Sequence, residues 1–125
     1  MRPTWLNVIV AHRGLSVVEV ELHGRAAHSS RPHDGVNAVT LLGRLLGGIE
    51  ERDDTLAARE AHPYVGRGSL LATVVRGGTA PFILAASASA IVERRTVPGE
   101  PLDTGLREVE SIVEGRGLDA SAGSC

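Results

Sequence analysis

The sequence predicts an α+β domain in which one antiparallel sheet carries two helices on a single face. Three observations point there. Apolar residues alternate with period two, or run continuously, in three short stretches. They recur every three or four residues in two longer stretches. Those stretches follow one another in the order β-α-β-β-α.

The first strand is residues 15–23. Val18, Val20 and Leu22 share one face, while Val17, Glu19, Glu21 and His23 share the other, the pattern of a half-buried strand. Gly24 ends it, and residues 24–34, rich in Ser, His, Pro and Gly, read as a loop. Asp34 is the expected N-cap of the first helix, whose apolar positions are Val36, Val39, Leu42, Leu46 and Ile49. The helix is expected to fade near Glu51, because Gly47 and Gly48 weaken its last turns. Residues 53–68 then read as a long loop.

Residues 69–76 form the second strand, apolar on both faces and broken by Gly77-Gly78. Residues 86–95 form the third, and the small residues of its first half imply a closely packed neighbour. Pro98-Gly99 ends it. Leu102, Leu106, Val109 and Val113 mark a second helix, stopped by Gly115 and Gly117. The tail from Leu118 is small and polar, a weak last strand or none. With that strand the order becomes β-α-β-β-α-β, the ferredoxin-like arrangement; without it the sheet is one strand short.

Composition bounds the function. The 125 residues make one domain, and with 42% hydrophobic but only 2% aromatic residues the core must be built from Val, Leu, Ile and Ala. Net charge is −2, with every one of the 13 basic residues an Arg, which argues against nucleic acid as a partner. The scarcity of aromatics argues against base stacking, including on an RNA-binding sheet of this topology. The single cysteine, Cys125, excludes an internal disulfide and a Cys-rich metal site, and fits a cytoplasmic setting. Residues 1–10 hold a short apolar run without the length of a membrane span or the form of a signal peptide.

Several residues could carry chemistry. His23, His28 and His33 recur every five residues, but lie on a strand face and in a loop with only Asp34 as acidic company, so a zinc site built from them is disfavoured. His28 stands among Ala26, Ala27, Ser29 and Ser30, which leave its imidazole accessible as a hydrogen-bond or proton donor. Arg94-Arg95 ends a strand before a turn, either as a solvated strand end or as an anion clamp whose guanidinium matches a carboxylate. Glu93 is an alternative, structural partner for such an Arg. Glu50-Glu51 reads as a solvated helix face, and Gly77-Gly78 opens no helix and so is no phosphate loop. No serine sits in a nucleophile motif.

Three blocks together resemble a known family. Gly24-Arg25-Ala26-Ala27-His28-Ser29-Ser30-Arg31-Pro32 followed by Gly35-Val36-Asn37-Ala38-Val39 is one. Gly77-Gly78-Thr79-Ala80-Pro81 is the second and Arg95-Thr96-Val97-Pro98-Gly99-Glu100 the third. In this order they are similar to the dimerisation, or lid, domain of the hydrolases that include acetylornithine deacetylase, succinyl-diaminopimelate desuccinylase, aminoacylase and carboxypeptidase G. The resemblance implies that residues 1–125 are a single lid domain, with a core of about 14–115. Its parent would cleave linear amide bonds of N-acyl amino acids or peptides, with two zinc or cobalt ions in a catalytic domain absent from this chain. The resemblance also implies a homodimer formed through the sheet edge and first helix. His28 would stabilise an oxyanion in the partner's active site, and Arg95 would grip a substrate carboxylate. This chain binds no cofactor itself in that reading and is inactive alone, since the family's H-x-D metal motif occurs nowhere in it. Phe82 departs from the pattern, which has Asn near there. The competing expectation is a free-standing ferredoxin-like module that binds a ligand or protein without catalysis.

Overall fold

The structure, a computed structural model, describes residues 4–118. Its elements are β1 (Thr4–His12), β2 (Leu15–His23), a 3-10 turn at Pro32–Asp34, α1 (Ala38–Ala57), β3 (Ser69–Gly77), β4 (Ser87–Arg95) and α2 (Thr104–Gly115). The strands form one sheet in the order β1-β2-β4-β3, antiparallel throughout. Both helices pack on one face of it, α1 chiefly against β3 and α2 against β2 and β1. The expected ferredoxin-like α+β class is the one observed.

The fourth place in the sheet is filled from the N-terminal side. β1 turns at Gly14, whose φ is +91°, and pairs with β2 from Thr4 opposite Leu22 to His12 opposite Leu15. Its sequence hides it. Trp5, Leu6, Val8, Ile9 and Val10 do not alternate, because a bulge between Val8 and Val10 shifts the faces midway. The weak last strand expected in the tail lies outside the described residues beyond Leu118.

Two expectations about α1 are corrected. Its N-cap is Asn37, not Asp34. Asn37 Oδ1 accepts the N–H of Val39 and that of Ala85, each at 3.1 Å, so one side chain caps the helix and ties it to the approach to β4. Asp34 instead closes the 3-10 turn and pairs with Arg31 at 3.1 Å. The helix also runs on past Glu51 to Ala57, leaving a loop of only 58–68. Gly48 does not fray it. A Cβ there would lie 2.4 Å from Ile112 Cγ2, so the glycine is where α2 crosses closely. The contact offsets the roughly 1 kcal/mol of helix propensity that glycine forfeits.

On the strands the core follows the sequence pattern, but the buried face of α1 is turned from the expected one: Val36 precedes the helix, Val39 is exposed, Leu46 is only partly buried, and Leu41 and Leu45 join Leu42 and Ile49 instead. Val18, Val20 and Leu22 of β2 and Ala88, Ala90 and Val92 of β4 face Leu41, Leu42, Leu45 and Ile49 of α1 and Val109 and Val113 of α2. The small residues of β4 let α1 settle onto the sheet, and Gly77 beside them would bring a Cβ to 3.1 Å from both Ala88 and Val39.

One buried charge joins the layers. Arg94, 1% exposed, follows Val92 on the inward face of β4. Its Nε donates to Glu108 of α2, and its Nη2 donates to Glu100 at 2.8 Å. Glu108 also accepts from Arg52 of α1, whose Nε lies 2.9 Å away. Gly68 makes space for the guanidinium, where a Cβ would come within 2.7 Å of Nη1, and Gly105 for the base of the side chain, where a Cβ would lie 2.9 Å from Arg94 Cβ. Burial alone would lower the Arg94 pKa. The hydrogen bonds and charges of Glu108 and then Glu100 outweigh it and raise the pKa above its ordinary value.

Breaking such a pair from one side strands the other charge. Arg94→Leu is expected to destabilise the fold by about 3–5 kcal/mol, while Arg94→Leu combined with Glu108→Leu costs less than the single change. Urea unfolding of both variants checks the order.

Candidate functional site

The loop between β2 and α1 is held by main-chain bonds at several levels. Gly24 N–H donates to Ala86 O at 2.8 Å, and a Cβ on Gly24 would fall 2.1 Å from Val36 O, so only glycine admits the returning chain. Arg25 and Val36 then exchange bonds of 2.7 and 2.9 Å. Further out, Ser29 N–H donates to Phe82 O at 2.7 Å and Leu84 N–H to Ala27 O at 2.8 Å, which bridges His28 to Ile83. His28 therefore has a fixed backbone and an exposed side chain. The loop reads as irregular in sequence because its bonds reach a segment more than fifty residues away, from Ala27 to Leu84.

The ring of His28 is held as well. Its Nδ1 accepts the N–H of Ser30 at 3.1 Å, with Ser30 Oγ at 2.8 Å. Phe82 lies nearly parallel to it, 6.4 Å between ring centres and 9° between planes. Phe82 is 71% exposed and is the one described non-glycine residue with positive φ, at 70°. Asn tolerates that conformation far better than Phe. The position the family pattern gives to Asn thus has a backbone reason as well as a chemical one.

Arg95 stands apart from this loop. Its side chain is 61% exposed and its contact with Glu93 is loose, at 3.8 Å. The Arg94-Arg95 pair is split by strand alternation: Arg94 turns inward as a structural ion, and only Arg95 is free to meet a ligand. The Glu100 carboxylate is structural too, since it accepts the Val97 N–H at 2.8 Å and closes the Pro98-Gly99 turn while holding Arg94. β4 spans Ser87–Arg95, and at about 3.3 Å per residue Arg95 lies roughly 26 Å from Ser87, whereas His28 is bridged to Ile83 in the segment that precedes the strand. At the Arg95 end, sequence reasoning missed a cavity of about 810 Å³ between the His12-Arg13-Gly14 turn and residues 96–102. No spacing signal marks it, because the β1–β2 hairpin that builds one wall was itself hidden.

The remaining candidates do not converge. His23 pairs with Glu21 at 3.2 Å, and His33 sits in the exposed 3-10 turn. Among the described residues no group of three or more His, Cys, Asp or Glu side chains could hold a metal ion. The residues present do not fit the two-metal centre that the family resemblance implies. Glu51 is solvated and pairs with Arg116 at 2.6 Å. Among the described residues no helix is long and apolar enough to cross a membrane.

Comparison with known proteins agrees with this architecture. A family model described as a peptidase dimerisation domain matches residues 10–120. An acetylornithine deacetylase of Myxococcus xanthus is 28% identical over 115 residues, covering 88% of this chain and 30% of that protein. A protein of Ajellomyces capsulatus named probable carboxypeptidase is 32% identical over 128 residues, covering 98% of this chain and 28% of its own length. The chain thus spans under a third of the curated relatives it matches. Among solved structures, an M20 family metallo-carboxypeptidase of Sulfolobus solfataricus superposes with a TM-score of 0.64 at 14% identity, over 90% of this chain and 37% of that one. The aminobenzoyl-glutamate utilization protein of Klebsiella pneumoniae gives 0.63 at 24% identity, over 82% and 24%. At these identities the structural matches establish the fold.

Positive φ on Phe82 strains the backbone by about 1–2 kcal/mol. The exposed stack on His28 returns about 0.5 kcal/mol. Phe82→Asn is therefore expected to raise stability by about 1 kcal/mol, read as a higher urea midpoint with an unchanged slope.

Proposed function

The chain belongs to the peptidase dimerisation domain family, and from that premise we propose that it is the dimerising, substrate-capping lid of a cytoplasmic two-metal amide hydrolase. The parent enzyme acts on small N-acyl amino acids or peptides, in keeping with the names of the relatives. Its two zinc or cobalt ions are held by residues outside this chain, and supply the activated water of metal-assisted hydrolysis.

The observation that carries this reading is the free edge of β3. Leu71, Val74 and Val75 are about half exposed there, and the exposed Val39 of α1 lies against Gly77 at the end of the same strand. An apolar edge strand with open backbone groups seeks a partner. A second copy related by a two-fold axis meets it with the same edge and the same helix, so that one continuous sheet runs through both subunits.

The separation of His28 from Arg95 fits that arrangement. A loop residue bridged ahead of the start of β4 and a residue at that strand's far end do not serve one small substrate from a single lid. His28 reaches the partner's active site, where its ring donates a hydrogen bond to the carbonyl oxygen as negative charge builds on it. Arg95 turns to the substrate carboxylate in the subunit's own site, where a guanidinium fork matches it.

Two measurements test this. Sedimentation of the purified chain is expected to show a dimer, and Val74→Lys on the β3 edge a monomer with unchanged far-UV circular dichroism; a wild-type monomer at high concentration refutes the interface. Assayed with zinc or cobalt on N-acetyl amino acids, the chain is expected to give no turnover. Metal-dependent hydrolysis above background would place the catalytic centre inside these residues and sink the reading.

A further inference from the structure

We propose that His28 is presented as a single tautomer, with its proton on Nε2, and that the backbone N–H of Ser30 is the positioning group that fixes it. Ser30 N–H lies 3.1 Å from His28 Nδ1. A main-chain N–H can only donate, so Nδ1 must offer its lone pair there. The neutral ring has one proton to place, and it goes to Nε2. Ser30 Oγ, 2.8 Å from the same nitrogen, turns its own proton toward that lone pair and adds a second bond of the same sense.

Other contacts complete the device. The bridge to Ile83 sets where the ring starts, and the stack on Phe82 sets its plane. Nε2 makes no hydrogen bond to the described residues, so the outward nitrogen is left as a donor. The class of ligand follows: an acceptor oxygen, best one gaining negative charge, such as the carbonyl of an amide under attack. The opposite tautomer would turn a lone pair on that oxygen and repel it. Why a serine-bearing turn follows the histidine is then explained by the proton, not by solubility. The role assigned to this donor rests on the lid reading above; the tautomer itself does not.

The chain contains its own references. His62 Nδ1 accepts the N–H of Tyr64 at 3.1 Å and is held in the same tautomer. His12 Nδ1 lies 3.1 Å from the carbonyl oxygen of Arg13 and must donate to it, which puts its proton on Nδ1. Long-range proton–nitrogen correlation of the ¹⁵N-histidine-labelled chain, at a pH where the imidazoles are neutral, reads each ring directly. The expected result is a pyridine-type Nδ1 and a pyrrole-type Nε2 for His28, with His12 reversed. Ser30→Ala keeps the N–H and is expected to keep this pattern. Ser30→Pro removes both donors and is expected to average the two nitrogens, the amide spectrum outside 27–32 unchanged. An averaged or Nδ1-protonated His28 in the wild type overturns the inference without any variant, as does an unchanged pattern in a folded Ser30→Pro protein. A fixed Nε2–H tautomer beside a His28→Ala change that leaves turnover of the complete hydrolase intact would refute the lid role and leave the tautomer standing. An averaged tautomer beside a His28→Ala change that abolishes turnover would do the reverse.

Discussion

The ion cluster centred on Arg94 is the constraint on which the rest of the arrangement depends. It joins β4 to α2 through Glu108, to the following turn through Glu100, and by way of Glu108 to Arg52 of α1. A guanidinium removed from water this far is tolerable only with its donors satisfied. The cluster therefore specifies how the helices sit on the sheet more than it adds net stability. Its pH behaviour follows from the sign of the shift. The Arg94 pKa is raised in the folded state, so its contribution is present below the ordinary arginine value and fades only as pH climbs through the still higher folded one. Across the pH range in which enzymes work it is a permanent brace.

That brace also decides what the end of β4 offers to a ligand. With Arg94 committed inward, strand alternation turns Arg95 outward, and Glu100 is occupied by the turn and by Arg94. At the other end of the same strand the constraints are main-chain ones. Gly24 and Gly35 admit close crossings that a Cβ would block at 2.1 and 2.5 Å, and the bridge to Ile83 then carries His28 outward. One end is fixed by buried charge and the other by backbone approach. Each presents an exposed candidate side chain, His28 or Arg95, on a rigid support, which is how a binding group is held without ordering it at the moment of binding.

Much of this was legible in the sequence, and the parts that were not have physical reasons. Period two marked β2 to the residue at both ends, Leu15 and His23, because one face is core and the other is not. Period 3.6 marked α2 for the same reason. β1 was hidden by its bulge, which breaks the alternation that a reader relies on. Gly48 looks like a weak point along the chain, since propensity is local and the crossing of Ile112 is not. The cap is Asn37 and not Asp34 because Asn37 Oδ1 also takes the N–H of Ala85, a bond that cannot be seen along the chain. The roles of Arg94 and Arg95 were in principle readable: Arg94 shares its parity with Ala88, Ala90 and Val92, all buried. Phe82 was recognised as a departure, but the positive φ that makes it one is visible only in the fold.

The distance between the two exposed groups has a consequence for assembly. A lid that closed over its own active site alone would gather its contacts at one end of the sheet. Here His28 is bridged to Ile83, ahead of the start of β4, while Arg95 closes the far end of that strand, roughly 26 Å from Ser87 by strand geometry. A two-fold axis past the β3 edge sets the second sheet antiparallel to the first, bringing the His28 end of each subunit toward the Arg95 end of the other. On the proposed reading each active site is then closed by two lids, one giving the carboxylate clamp and one the oxyanion donor. Such a site is incomplete in the monomer, so the apolar edge of β3 and the tautomer of His28 belong to one design: association supplies the residue, and the Ser30 turn ensures that it arrives with its proton facing the substrate.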